Sequence, residues 1–140
     1  MHDDTPIKLK LGKGAPLVKS RLRRLPQTDN VWEAGFLQLS MRRDVPEWFG
    51  LVVSVTELFI LADRFWDSPP DVNDLARLVS RAAERPYIGK PNRPRMIRIR
   101  PLPEWSELIP HLEQLNIEVV RQDELKKFDE EVSGFLRSGK

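Results

Sequence analysis

Few residues of this chain have the types and spacing that metal or nucleophilic chemistry needs. The 140 residues include two His and no Cys, which excludes a thiolate metal site, a Cys nucleophile and a disulfide framework. His2 and His111 have no further ligands at metal-site spacing. The chain has no Gly-x-Ser-x-Gly elbow, and Gly12-Lys13-Gly14 is too short for a phosphate loop. We therefore predict no catalytic residue, no metal ligand and no cofactor.

Among the carboxylates, Asp63 has the best position for chemistry because it follows an apolar stretch and precedes Arg64. A catalytic acid and an ordinary residue at the end of a strand both fit this pattern. We favour the ordinary residue. An enzyme with a cryptic carboxylate site near Asp63 is the least favoured of three functional hypotheses.

Positive charge is concentrated in two segments, although the formal net charge is only +2. Residues 1–30 carry seven Lys or Arg against three Asp, and residues 81–100 carry seven Lys or Arg against one Glu. Arginine suits phosphate and carboxylate partners because its planar fork makes paired hydrogen bonds. The predicted partner-binding residues, with Tyr87 as a stacking aromatic, are Lys8, Lys10, Lys13, Lys19, Arg21, Arg23, Arg24, Arg85, Tyr87, Lys90, Arg93, Arg95, Arg98 and Arg100.

Internal pairing is a second interpretation of the 85–100 segment, and we favour it over a partner-binding patch. Arg98 and Arg100 can pair with Glu118 on the neighbouring predicted strand, or with acids of the flanking helices. Exposed pairs of this kind contribute about 0–1 kcal/mol and require no ligand.

The four Trp residues allow two interpretations. Core packing with a hydrogen-bonded indole is expected for most of Trp32, Trp48, Trp66 and Trp105. Trp48 and Trp66 also fit an exposed rim, where a Trp beside an Arg would mark an interaction site.

The chain divides into an arm and one domain. Residues 1–30 contain Gly, Pro and recurring bases, which predicts a basic, partly flexible arm, with residues 17–25 suited to a turn of helix. Residues 31–140 form the predicted single domain. Apolar stretches at 31–41, 48–55 and 58–66 predict a three-stranded antiparallel meander. The almost continuous apolar run of the second stretch predicts burial on both faces.

Helical and strand patterns then alternate. A helix capped by Ser68 or Asp71 must end before Pro86, and Gly and Pro residues make 87–94 a linker. Strand 95–100, helix 103–115 ended by Asn116, and strand 117–120 form a βαβ-type unit with parallel strands. A C-terminal helix follows. The fold class is therefore α+β, with a mixed sheet.

From Trp32 onward the sequence resembles an uncharacterised, mainly cyanobacterial domain family of unknown function. The resemblance is carried by VWEAGFLQL, by Arg85-Pro86, by GKPNRP leading into RMIRIR, and by HLEQLNIEVV. It covers about residues 31–136 and implies a single domain with this order of elements. It implies no site residues.

These patterns favour a non-enzymatic adaptor- or assembly-type protein that binds another macromolecule through the arm and the Arg-rich segment. The expected partner is a protein or ribonucleoprotein with an acidic surface. Sequence-nonspecific RNA or DNA binding by the same surfaces is the alternative. The longest apolar stretch, 49–53, is far shorter than a membrane span needs, and residues 1–14 lack the apolar core of a secretory signal. We therefore expect a cytoplasmic protein.

Overall fold

A five-stranded sheet organises the chain, with the strand order β3-β2-β1-β4-β5. The computed structural model describes residues 8–11, 14–42 and 45–138, with side chains for all of these except 40–42, 45–46 and 136–138. The elements are α1 (Lys19–Arg23), β1 (Val31–Arg42), β2 (Val45–Ser54), β3 (Phe59–Trp66), α2 (Val72–Glu84), β4 (Met96–Ile99), a 3₁₀ helix (Pro103–Trp105), α3 (Ile109–Glu113), β5 (Glu118–Arg121) and α4 (Lys126–Ser138).

Strands β1, β2 and β3 form the predicted antiparallel meander. Trp32 pairs with Ser54 between β1 and β2, and Val52 pairs with Ala62 between β2 and β3. The third strand begins at Phe59 and not at residue 58, because Leu58 adopts a φ of 65° that a strand does not accommodate. The predicted meander is confirmed.

The second half of the sheet is parallel, as the βαβ-type pattern predicts. β1 pairs with β4, and β4 pairs with β5, with Met96 opposite Glu118. Asn116 has a φ of 62°, the left-handed conformation that ends a helix. The α+β class with a mixed sheet is therefore confirmed.

Both faces of the sheet are covered by apolar layers. The main core lies between one face and α2, and it includes the fully buried Trp32 and Leu75. On the other face α4 covers a smaller cluster that contains Phe49, Leu51 and Phe128. β2 contributes to both layers, which explains its apolar run.

Helix α2 begins with a capping box. The Asp71 side chain accepts a hydrogen bond from the Asp74 amide, and the Asp74 side chain accepts one from the Asp71 amide, both at 3.0 Å. Caps of this kind stabilise a helix by about 1 kcal/mol. The helix ends at Glu84, before Pro86 as predicted. In the described part of the chain, no helix is long and apolar enough to cross a membrane.

The helix predicted at 103–115 is interrupted. The structure has a 3₁₀ helix, a turn and then α3. Pro110 has no backbone N–H for an α-helical bond to the carbonyl four residues earlier, so a continuous helix is not formed. Trp105, Leu108 and Leu112 are nevertheless buried on the predicted face.

The Trp side chains pack into or against the main core. Trp32 and Trp105 are fully buried, while Trp48 and Trp66 are half-buried. Among the described residues, none of the four buried indole N–H groups donates a hydrogen bond to a protein atom, so the prediction of hydrogen-bonded indoles is not confirmed. The ring of Trp48 packs against that of Phe36, with the ring centroids 6.3 Å apart.

Candidate functional site

The fold brings the two basic segments of the sequence together. The Arg93 amide donates to the Pro26 carbonyl at 2.9 Å, and the Thr28 amide donates to the Arg93 carbonyl at 2.8 Å. Leu17 and Leu22 of the arm are buried in the main core. The arm therefore packs against the same domain as the 85–100 segment, and the predicted turn of basic helix is α1. Its partial flexibility stays a prediction.

Three of the predicted bases hold the arm in place. The Arg93 side chain donates to the backbone carbonyls of Leu25 at 3.1 Å and Leu115 at 2.6 Å. Lys19 Nζ contacts His111 Nδ1 at 2.9 Å and Gln114 Oε1 at 2.6 Å. Arg21 pairs with Glu84 of α2. These contacts are internal, so these three side chains stabilise the fold and are already engaged within the chain.

Arg98 and Arg100 lie on the α4 side of the sheet and also carry internal ion pairs. Arg98 Nη1 lies 3.6 Å from Glu33 Oε2. Arg100 contacts both carboxylate oxygens of Asp129 at 2.7 Å, and its guanidinium carbon lies 5.7 Å from the centroid of the Phe128 ring. The acid of a flanking helix is thus the partner of Arg100. The partner of Arg98 is an acid of β1, and not Glu118.

The remaining predicted bases have exposed side chains. Within the described residues these side chains make no hydrogen bond or ion pair with the chain: Lys8, Lys10, Arg23, Arg24, Arg85, Lys90 and Arg95. Lys13 lies outside the described residues. We call Arg23, Arg24, Arg85, Lys90 and Arg95 the arm–loop surface, because they belong to the two adjacent segments.

An open cavity of about 400 Å³ adjoins Arg85 where α1, α2 and β3 meet. We call it the arginine cavity, and it is lined by Pro16, Arg21, Arg64, Arg77, Ser80, Arg81, Glu84 and Arg85. Four of these residues lie three or four positions apart on α2, which places them on one face of the helix. The lining therefore holds five guanidinium groups and one carboxylate.

The internal bonds of the cavity leave several guanidinium groups without an acid. Arg21 donates to both oxygens of Glu84, at 2.9 and 3.1 Å. Arg77 lies 3.8 Å from Asp74. Among the described residues, Arg64, Arg81 and Arg85 have no carboxylate within ion-pair distance. The cavity is suited to an anion.

The sequence interpretation missed Arg64, Arg77 and Arg81. The spacing of Arg77, Arg81 and Arg85 along one predicted helix was an available signal, because residues four apart share a helix face. Arg64 comes from a strand and had no such signal. Only the packing of α2 on the sheet brings it to the others.

Tyr87 and Asp63 interact at the edge of β3. The Tyr87 hydroxyl donates to Asp63 Oδ1 at 2.7 Å, and the Tyr87 amide donates to the Leu61 carbonyl at 2.9 Å. This hydrogen bond, with burial and the charge of Asp63, raises the pKa of the Tyr87 hydroxyl above 10.0. Tyr87 is 54% exposed. Asp63 lies within β3 and is engaged by this tyrosine.

Two further groups are the buried acid Glu33, which the sequence interpretation did not consider, and His111, which it considered only as a metal ligand. Glu33 is 2% exposed on β1 and accepts a hydrogen bond from the Phe128 amide at 2.8 Å. Burial, followed by the charge of Lys19, lowers the pKa of His111 below 6.5. In the residues that the structure describes, no group of three His, Cys, Asp or Glu is placed to hold a metal ion.

Solved structures provide the comparison for this fold. Similar chains include the HTLV-2 integrase catalytic core domain in complex with magnesium, in a trimeric form (TM-score 0.56) and a dimeric form (TM-score 0.54), each 11% identical. The chain shares the fold of integrase catalytic core domains. These matches cover 81% of the chain and 69% and 70% of the two core domains.

A longer structure matches as well. It is a chain of the simian T-cell lymphotropic virus intasome in complex with PP2A regulatory subunit B56 gamma, with a TM-score of 0.58 and 13% identity. The match covers 84% of this chain but only 43% of that chain. No family model and no curated protein matches. The resemblance to a bacterial domain family stays a prediction.

Proposed function

We propose that this chain is a non-enzymatic adaptor- or assembly-type protein that binds another macromolecule through the arm–loop surface. The observation that carries the proposal is the pairing of residues 26–28 with Arg93. This pairing joins two basic segments that are far apart in the sequence. Exposed bases without internal partners attract a partner with an acidic or phosphate-bearing surface.

Two carboxylates on the α4 side of the sheet are paired with guanidinium groups, which favours binding over metal-assisted catalysis at those two positions. The HTLV-2 core domains were determined in complex with magnesium, and magnesium is held by carboxylate oxygens. In this chain Glu33 lies beside Arg98, and Asp129 is bound by Arg100. A guanidinium at each carboxylate opposes the binding of a second cation there.

Sequence-nonspecific RNA or DNA binding is the second candidate function. The exposed ring of Tyr87 favours it, because a base can stack on an aromatic ring while guanidinium groups contact the phosphates. Such binding weakens steeply with salt, since each neutralised phosphate releases counterions. A weaker salt dependence favours the protein partner.

Charge reversal tests the proposal better than deletion of the arm, because Leu17 and Leu22 belong to the core. We would compare the wild-type chain with the double variant Lys90→Glu/Arg95→Glu. The matched control is the double variant Arg121→Glu/Lys126→Glu, at exposed positions of β5 and α4. Retained macromolecules would be measured after pull-down from the native lysate, with and without nuclease.

The expected result is that Lys90→Glu/Arg95→Glu loses the macromolecule that the wild-type chain and Arg121→Glu/Lys126→Glu both retain. Loss after nuclease treatment assigns that macromolecule to nucleic acid, and survival assigns it to protein. Retention of the same macromolecule by all three proteins would contradict the arm–loop surface. If the wild-type chain retains nothing, the proposed function is wrong.

A further inference from the structure

We propose that the arginine cavity is a binding site for a small phosphate-bearing molecule, such as a phosphate monoester or a diphosphate. This site goes beyond the macromolecular contact proposed above, although the two share Arg85. It occupies a different surface, formed by α1, α2 and β3.

Electrostatics is the first argument for an anion. Five guanidinium groups and one carboxylate line about 400 Å³, so the lining carries a large excess of positive charge. Like charges gathered in one concavity repel each other, and the concave shape concentrates their field. A bound anion with two or more negative charges removes this repulsion.

The side-chain types favour phosphate over a single carboxylate. Every base in the lining is an arginine, whose planar fork forms paired hydrogen bonds with phosphate oxygens. A terminal phosphate presents three acceptor oxygens and nearly two charges at neutral pH. Arg64, Arg81 and Arg85 provide three guanidinium groups that lack an acid among the described residues. One carboxylate has too few oxygens to satisfy all three.

The cavity is also partly organised before a ligand arrives. Glu84 fixes the guanidinium group of Arg21 through two hydrogen bonds. The Ser80 hydroxyl donates to the Pro16 carbonyl at 3.0 Å, which ties the arm to α2 and closes one wall. Groups that are already held lose less conformational entropy on binding.

The size of the cavity sets the class of ligand. About 400 Å³ falls within the range of small-molecule sites, which are usually about 300–1,000 Å³. The cavity is open to solvent, so a phosphate group can enter while the rest of the molecule extends outward.

The test is a titration of the full chain with sodium diphosphate at constant ionic strength, followed by calorimetry and by the thermal midpoint. Citrate provides a carboxylate comparison with several charges. The informative variants are Arg64→Gln and Arg81→Gln, both exposed positions that leave the core intact. Arg121→Gln removes one exposed arginine elsewhere and serves as the matched control.

We expect diphosphate to bind the wild-type chain saturably and to raise its thermal midpoint. Each cavity variant should weaken this binding by about 10-fold or more, because one charge-assisted contact is lost. Arg121→Gln should bind as the wild type does. Without ligand, the cavity variants should unfold at the same temperature as the wild type or higher.

An equal response of the wild-type chain and both cavity variants would overturn the proposal. So would a response that does not saturate, or one that citrate reproduces. Backbone amide NMR shifts give a second measurement, and they should be centred on residues 64 and 77–85. Diphosphate binding by a chain that retains no macromolecule would leave this site intact and refute only the proposed function.

Discussion

Glu33 is a buried acid, and its replacement tests whether it has a structural or a chemical role. It lies on β1 with a side chain 2% exposed, and it accepts a hydrogen bond from the amide of Phe128, in the first turn of α4. Arg98 lies beside it at 3.6 Å. A structural role predicts that replacement of Glu33 destabilises the fold. If Glu33 instead serves chemistry at a cost in stability, its replacement should leave the fold equally stable or more stable.

The contacts give the expected size of the effect. A buried hydrogen bond to a charged group contributes about 1.5–3 kcal/mol, and an amide left without its partner costs about 1–3 kcal/mol. The negative charge at the start of α4 adds about 0.3–1 kcal/mol. Arg98 is one-third exposed, so its ion pair is screened by solvent and adds about 0–1 kcal/mol.

We therefore expect Glu33→Ala to lower the free energy of unfolding by about 3 kcal/mol. Glu33→Gln keeps an acceptor oxygen and should cost only about 1 kcal/mol. In a chain of 140 residues, about 3 kcal/mol corresponds to a fall of about 10 °C in the thermal midpoint.

Urea unfolding followed by circular dichroism measures the change, with an unchanged slope as evidence of a two-state transition. The control is Glu118→Ala, an exposed acid on β5, which should change stability by less than about 0.5 kcal/mol. If Glu33→Ala leaves the urea midpoint unchanged or raises it, the structural role is refuted. Glu33 would then become the first candidate for a catalytic acid.

Three further predictions concern packing and titration. Gly50→Ala should lower the free energy of unfolding, measured with urea, by about 1–3 kcal/mol, because an added Cβ would lie 2.5 Å from the Trp66 ring. An unchanged free energy of unfolding would show that the ring moves aside. Folding lowers the pKa of His111, so the unfolded chain binds that proton first and stability should fall as pH drops below about 6.5. His111→Gln should reduce this slope, and an unchanged slope would contradict the assignment. Tyr87 is the one tyrosine of the chain, so the absorbance of its phenolate should titrate above pH 10.0. Asp63→Asn should bring that midpoint back towards 10.0, and an unmoved midpoint would refute the role of Asp63.

Much of the fold was predictable because its signals are local. The apolar run at 48–55 predicted a strand buried on both faces, and the structure places β2 between the two apolar clusters. Ser68 and Asp71 were the two predicted caps at the start of α2, and the structure shows that Asp71 is the cap. The interruption at Pro110 was also visible in the sequence, but the apolar spacing of the segment concealed it.

The candidate site was less predictable because it depends on contacts between distant residues. Charge counts found two basic segments, but they did not show that the Arg93 side chain donates hydrogen bonds to the carbonyls of Leu25 and Leu115. They also missed Arg64, which reaches the arginine cavity only because α2 packs on the sheet beside β3.

The α+β class, the order of the strands and the segregation of positive charge follow from local patterns, since periodicity, caps and composition act over a few residues. Local patterns do not show which arginines face a carboxylate and which face solvent. Arg98 and Arg100 pair with acids of β1 and α4, whereas Arg81 and Arg85 line a cavity. The physical reason is that ion pairing depends on distances of a few ångströms between chain segments, and folding alone sets those distances.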